Sequence, residues 1–100
     1  MKTEHFNGLK ESEAERIAIL MEECGEVIQI CGKILRHGYE SYNPYLAEEI
    51  TNRSLLMSEL GDIQFAISLM VTNSDIDKST IDGFENIKAV KIKQFLHHQK

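Results

Sequence analysis

Two acidic pairs, Glu23 with Glu26 and Glu59 with Asp62, stand at three-residue spacing inside segments whose apolar residues recur with the period of a helix. No other feature of the chain constrains the fold as strongly. At about 100° per residue, side chains three apart lie on one face, a turn along the helix. In the first segment Ile17, Leu20, Met21, Val27, Ile28, Cys31 and Ile34 gather around Cys24 and form the expected core stripe. Glu23 and Glu26 fall on the neighbouring face, with Ile19 one turn before and Ile30 one turn after, while Glu22 lies further round, toward Ala18, Gln29 and Lys33. In the second segment Leu55, Leu56, Ile63, Ala66 and Met70 surround Glu59 on the wheel, with Asp62 beside it. A carboxylate centred in an apolar stripe is costly unless a cation compensates it or it takes up a proton.

The remaining pattern is helical as well. The chain has one proline in 100 residues and few β-branched alternations, which argues for an all-α fold. "SEAE" places Glu15 three residues after Ser12 and predicts a helix start there, ending near "RHG" with Gly38 as its cap. Asn43 and Pro44 read as the cap and first position of a short helical piece. A second long helix is expected to run through about Thr72, "NSDIDKST" to form a turn, and a last helix to cover most of "IDGFENIKAVKIKQFLHHQ". The expectation is one domain, residues 1–100, folded as a small antiparallel helical bundle. Both long helices carry apolar residues on more than one face, so oligomerisation is expected to complete the bundle.

A formal charge of −5, spread along the chain, argues against nucleic acid or an anionic membrane as partner. No uninterrupted apolar run approaches a membrane span, and the N-terminal stretch lacks the apolar core of a signal peptide. These observations predict a cytoplasmic protein. Cys24 and Cys31, about 10 Å apart along one helix, are too distant for an intrahelical disulfide and read as reduced core thiols.

If the two long helices pack together, Glu23, Glu26, Glu59 and Asp62 converge, and four carboxylates repel one another unless metal ions sit between them. All four offer hard oxygen, and neither pair is followed by the ExxH pattern of di-iron bundles. Mg2+ or Mn2+ is therefore favoured over iron or zinc. Such a site needs no nucleophilic side chain for phosphate-ester chemistry, because the metal orients the phosphates and activates water.

"EECGE" followed by "ELGD" resembles the EExxE…ExxD signature of the MazG-like all-α nucleotide pyrophosphohydrolases. The resemblance covers roughly residues 12 to 95 in architecture, and the two acidic motifs match closely. It implies Glu23, Glu26, Glu59 and Asp62 as metal ligands, with Glu22 beside them. The implied reaction cleaves a nucleoside triphosphate between its α and β phosphates, in a homodimer or homotetramer. The thirty-two residues from Glu26 to Glu59 exceed the family's usual spacing because "RHGYESYNPYLAEEITNR" is inserted.

Either Glu22 or Glu23 is a candidate to position the attacking water. Beyond the metal, Lys33 and, on the last helix, Asn86, Lys88 and Lys91 are candidates for contact with substrate, followed by Lys93, Arg36 and Arg53. Lysines near a helix C-terminus also complement the helix dipole. Tyr39, Tyr42 and Tyr45 could stack on a nucleobase or anchor the inserted loop. His97 and His98 read as solvated and receive no role. Two alternatives stay open, a phosphoribosyl-ATP pyrophosphatase-like enzyme and a non-catalytic nucleotide-binding or helical oligomerisation module.

Overall fold

The computed structural model describes residues 6–99, so the N-terminal leader reading rests partly on residues outside the described ones. Three helices follow in order, α1 (Glu11–His37), α2 (Asn52–Thr72) and α3 (Lys78–Lys91), and a 3₁₀ turn covers Ile92–Phe95. Among the described residues there is no β-strand, and an isolated bridge pairs Tyr42 with Thr51. The fold is all-α, as the periodicity requires.

Each helix boundary has a local cause. α1 starts two residues earlier than expected, because Glu13 rather than Glu15 closes the cap, accepting a hydrogen bond from the Lys10 backbone N–H at 2.8 Å. It ends at Gly38, whose φ of 90° lies in the region that favours glycine and whose N–H reaches the Ile34 carbonyl at 2.7 Å. Thr51 caps α2 by accepting from the Ser54 N–H at 3.2 Å. Asp77 caps α3, accepting from the Thr80 N–H and from the Ser79 and Thr80 hydroxyls. That cap starts α3 at Lys78 instead of Ile81, and the helix gives way to the 3₁₀ turn after Lys91. The short helix expected at Asn43–Pro44 does not form. The Asn43 side chain accepts from the Tyr45 N–H at 3.0 Å, its carbonyl accepts from the Leu46 N–H, and the chain makes a turn.

α1 and α2 form an antiparallel hairpin fastened at both ends. At the closed end the Asn52 N–H donates to the Ser41 carbonyl at 2.8 Å, and the buried Asn52 amide donates to the Gly38 carbonyl at 3.2 Å. Arg53 adds an ion pair to Glu40 and packs over the Tyr39 ring, 4.3 Å from its centroid. At the open end Arg16 makes a bidentate, largely buried pair with Asp75 at 2.6 and 2.9 Å. Arg16 beside it holds the Asp75 carboxyl below its ordinary value.

Burial corrects one expectation about α1. Only one edge of the stripe centred on Cys24 is covered, at half-buried Leu20, Val27 and Ile34; Met21, Cys24, Ile28 and Cys31 are exposed, and the thiols are not core residues. The face toward α2 carries Arg16, Ile19, Glu23, Glu26, Ile30 and Ile34, with Ile30 buried. On α2 the expected stripe holds, since Ala66 and Met70 are buried and Leu55, Leu56, Glu59 and Ile63 are half-buried. α2 is 21 residues long with a mean hydropathy of 1.3 over its most apolar stretch, enough in length and apolarity to cross a bilayer, which a search for unbroken apolar runs overlooks. α3 projects from the hairpin. Its Lys78, Ile81 and Glu85 stand beside Gln64, Ile67 and Val71 of α2 around a cavity of about 540 Å³, while Phe84, Ile87 and Val90 are exposed.

Candidate metal centre

The acidic pairs meet at the middle of the hairpin. α1 supplies Glu23 and Glu26 and α2 supplies Glu59 and Asp62, and one carboxylate oxygen from each lies within 4.8 Å of all the others. The i,i+3 spacing turns both side chains of each helix toward the other helix. Glu23, Glu26 and Glu59 are half-buried and Asp62 is exposed, so the cluster has a protein-lined floor and a wet rim.

The electrostatics show what the cluster lacks. With all four carboxyls ionised, Glu23 Oε2 and Glu59 Oε2 are buried with no hydrogen-bond partner, an arrangement that folded proteins largely avoid. The polar groups crowding them are other carboxylates, which accept and do not donate when ionised. Among the described residues, none of the ion pairs involves any of the four acids. The consequence is a retained proton. A hydrogen bond shared with Glu26, then burial, then the charge on Glu26, with Glu23 and Asp62 adding, push Glu59 from 4.5 up to about 7. Burial, followed by the charge of Glu26, also raises Glu23, against a lowering hydrogen bond from Glu59.

These features fit a metal ion. Oxygen ligands at roughly 2.0–2.6 Å from a hard divalent cation lie up to about 4–5 Å apart across it, and the cluster spans 4.8 Å. One cation between the helices would give both orphaned oxygens a partner and remove the reason for Glu59 to hold a proton. The four acids can hold a metal ion.

The other candidate residues divide into two groups. Glu22 is exposed and does not join the four, although its charge reaches Glu23. Lys33 borders a cavity of about 430 Å³ under the inserted loop, with Arg36, His37, Tyr42, Asn52 and Leu55. Lys33 is seven residues beyond Glu26, on the same face of α1, and Leu55 and Asn52 are four and seven residues before Glu59 on α2. The seven-residue offsets place Lys33 and Asn52 about 10 Å along their helices from the acids. Asn86, Lys88 and Lys91 are exposed on α3, and neither the cluster nor this cavity includes them. Tyr42 lines the cavity, Tyr39 stacks under Arg53, and Tyr45 is exposed.

Two structurally important residues carry no sequence signal of their own. Asp75 pairs with Arg16 across 59 positions of sequence, a distance no local pattern spans. Asn52 is a polar residue with nothing in its local sequence to mark it for burial.

Comparison of the chain with protein-family models, with curated proteins and with solved structures returns no match.

Proposed function

We propose that this chain is a divalent-metal-dependent nucleoside triphosphate pyrophosphohydrolase, using Mg2+ or Mn2+ and releasing a nucleoside monophosphate and pyrophosphate. The observation that carries the reading is the four-carboxylate cluster with two buried, unpartnered oxygens. A permanent structural ion pair would have brought its own lysine or arginine; among the described residues none pairs with this cluster, which favours a cation from outside. The likeness of "EECGE" and "ELGD" to the MazG-like motif supports a phosphate-bearing substrate.

The bound metal supplies charge neutralisation for the phosphate oxygens and a water of lowered pKa. Glu23, Glu26, Glu59 and Asp62 would hold it, and Glu22, exposed beside Glu23, would in this reading orient the attacking water. Lys33 and Arg36 offer positive charge two to three turns along α1, where the triphosphate chain leads away from the acids. The cavity beyond them, with Tyr42, Leu55 and the Asn52 amide, has the mixed apolar and hydrogen-bonding lining that suits a nucleoside. Asn86, Lys88 and Lys91 join the site in this reading through α3 of another copy, within a cytoplasmic homodimer or homotetramer.

The test is a panel of canonical and modified triphosphates, with phosphoribosyl-ATP included, incubated with Mg2+ or Mn2+ and analysed for products. Monophosphate plus pyrophosphate is expected, with turnover lost in a Glu59→Gln protein whose helical signal is unchanged. Absence of pyrophosphate from every substrate defeats the catalytic reading, and triphosphate binding without turnover would assign the chain to nucleotide binding instead.

A further inference from the structure

Among the described residues Asn52 is the polar one that is buried outright, 6% exposed, and it lines the cavity under the inserted loop. A free asparagine amide meets donors and acceptors alike, because a half-turn about its last bond exchanges Oδ1 and Nδ2. Asn52 has lost that freedom. Its Nδ2 donates to the Gly38 carbonyl at 3.2 Å, and a flip would set Oδ1 against that carbonyl, two acceptors with no proton between them. The frame around the amide is held as well: the Gly38 N–H donates to the Ile34 carbonyl at 2.7 Å and the Asn52 N–H to the Ser41 carbonyl at 2.8 Å.

Oδ1 is therefore an acceptor of fixed sense. It accepts no hydrogen bond from a described residue, yet it is not sealed away as Glu23 Oε2 and Glu59 Oε2 are. A molecule in the cavity can supply the missing donor.

The rest of the lining discriminates less. Leu46, Ile50 and Leu55 offer apolar surface on which a flat ring can rest. The Ser41 and Tyr42 hydroxyls rotate to donate or accept. The Asn43 oxygen is engaged by the Tyr45 N–H, and the residue is exposed, where water competes for its amide. Lys33 and Arg36 only donate, which suits phosphates. A base is the part of a nucleotide farthest from its phosphates, and Asn52 stands about 10 Å along α2 from Glu59.

We propose, on the nucleoside reading of this cavity, that Asn52 Oδ1 is its specificity-determining acceptor. It selects a base with an exocyclic amine, adenine or cytosine, over one with a keto oxygen at the same ring position, hypoxanthine or uracil. The amine gives Oδ1 a proton. The keto oxygen faces it as a second acceptor and leaves both unpaired away from bulk water, a loss of roughly tenfold to a hundredfold in affinity. Uracil and hypoxanthine carry a ring N–H one position further round, which reaches Oδ1 only if the whole base slides.

The full chain is titrated, with Mg2+, with the α,β-methylene analogues of ATP, ITP, CTP and UTP, and turnover of the four natural triphosphates is measured separately. The amino member of each pair should bind roughly tenfold tighter or more. Asn52→Asp and Asn52→Leu both lose the donation to Gly38, but Asn52→Asp keeps an acceptor, so the preference should persist there and vanish in Asn52→Leu. A merely structural Asn52 would lower all four affinities together and leave both ratios intact. Equal affinities within each pair, tighter binding of the keto member, or no binding of any of the four overturns the proposal. So does a ratio that Asn52→Leu leaves unchanged, or a preference that follows the ribose hydroxyls, read with dideoxy forms of the ATP and ITP analogues. Should both variants unfold, the ratios in the native chain decide alone. Discrimination in binding without turnover sinks the enzymatic reading and leaves this one standing, and turnover of all four with equal kcat/KM does the reverse.

Discussion

Metal binding to the acidic cluster should expel a proton, and the pH at which it does so follows from Glu59. That carboxyl is held at about 7 where its ordinary value is 4.5. At neutral pH it is about half protonated, and below that it is mostly protonated, whereas a metal ion requires it ionised. Metal binding therefore weakens about fivefold from pH 7 to pH 6 and roughly fiftyfold between about pH 7 and pH 5. Glu23, raised in the same direction, steepens the lower end. Four carboxylates at ordinary values would instead keep their affinity nearly level down to about pH 5. Calorimetric titration with MnCl2 at several pH values, in two buffers of different ionisation heat, gives the affinity and the number of protons released. Close to one proton per metal is expected near pH 6. Glu59→Gln should bind more weakly and release fewer protons. If affinity is level from about pH 5.5 to 7.5 with no buffer-dependent heat, the cluster does not bind metal through Glu59 and the reasoning fails.

Two further outcomes follow from the same structure. In metal-free protein the unfolded chain loses the Glu59 proton near 4.5 while the folded chain keeps it to about 7; stability should fall as pH rises through that window, and saturating Mg2+ should flatten the slope in thermal melts. Ile30→Ala, at a buried position of α1, should cost about 2–5 kcal/mol in urea unfolding, whereas Leu35→Ala, at an exposed position of the same helix, should change stability by about 0.5 kcal/mol or less.

Much of the site was legible because its signals are local. A pair at i,i+3 and an apolar wheel around Glu59 require nothing beyond one helix, and Gly38 marks the end of α1 by its own backbone preference. The face of α1 that meets α2 is legible through its acids and not through hydropathy alone. Hydropathy favours the Cys24 stripe, and the face buried within the chain is the one bearing Glu23 and Glu26, which belong opposite Glu59 and Asp62. Apolar periodicity identifies an apolar face without saying which part of it the chain itself covers. The loop was misread for a simpler reason: Asn before Pro caps a helix or a turn equally well, and the Tyr42–Thr51 bridge across it, with Asn52 reaching back to Gly38, settles it as a turn. The placement of α3 depends on Asp77 outcompeting later start sites, a contest among side-chain hydrogen bonds that periodicity does not register.

The two fastenings of the hairpin have a mechanical consequence. Arg16 and Asp75 tie one end, Asn52, Gly38 and Ser41 tie the other, and the four like charges press outward at mid-span. A hairpin free at one end would relieve that pressure by splaying. This one is a beam held at both supports, so its load stays where a cation can discharge it. Opening motions of the metal-free protein should accordingly be largest at mid-span, and amide exchange there should slow on loading while both ends hardly change.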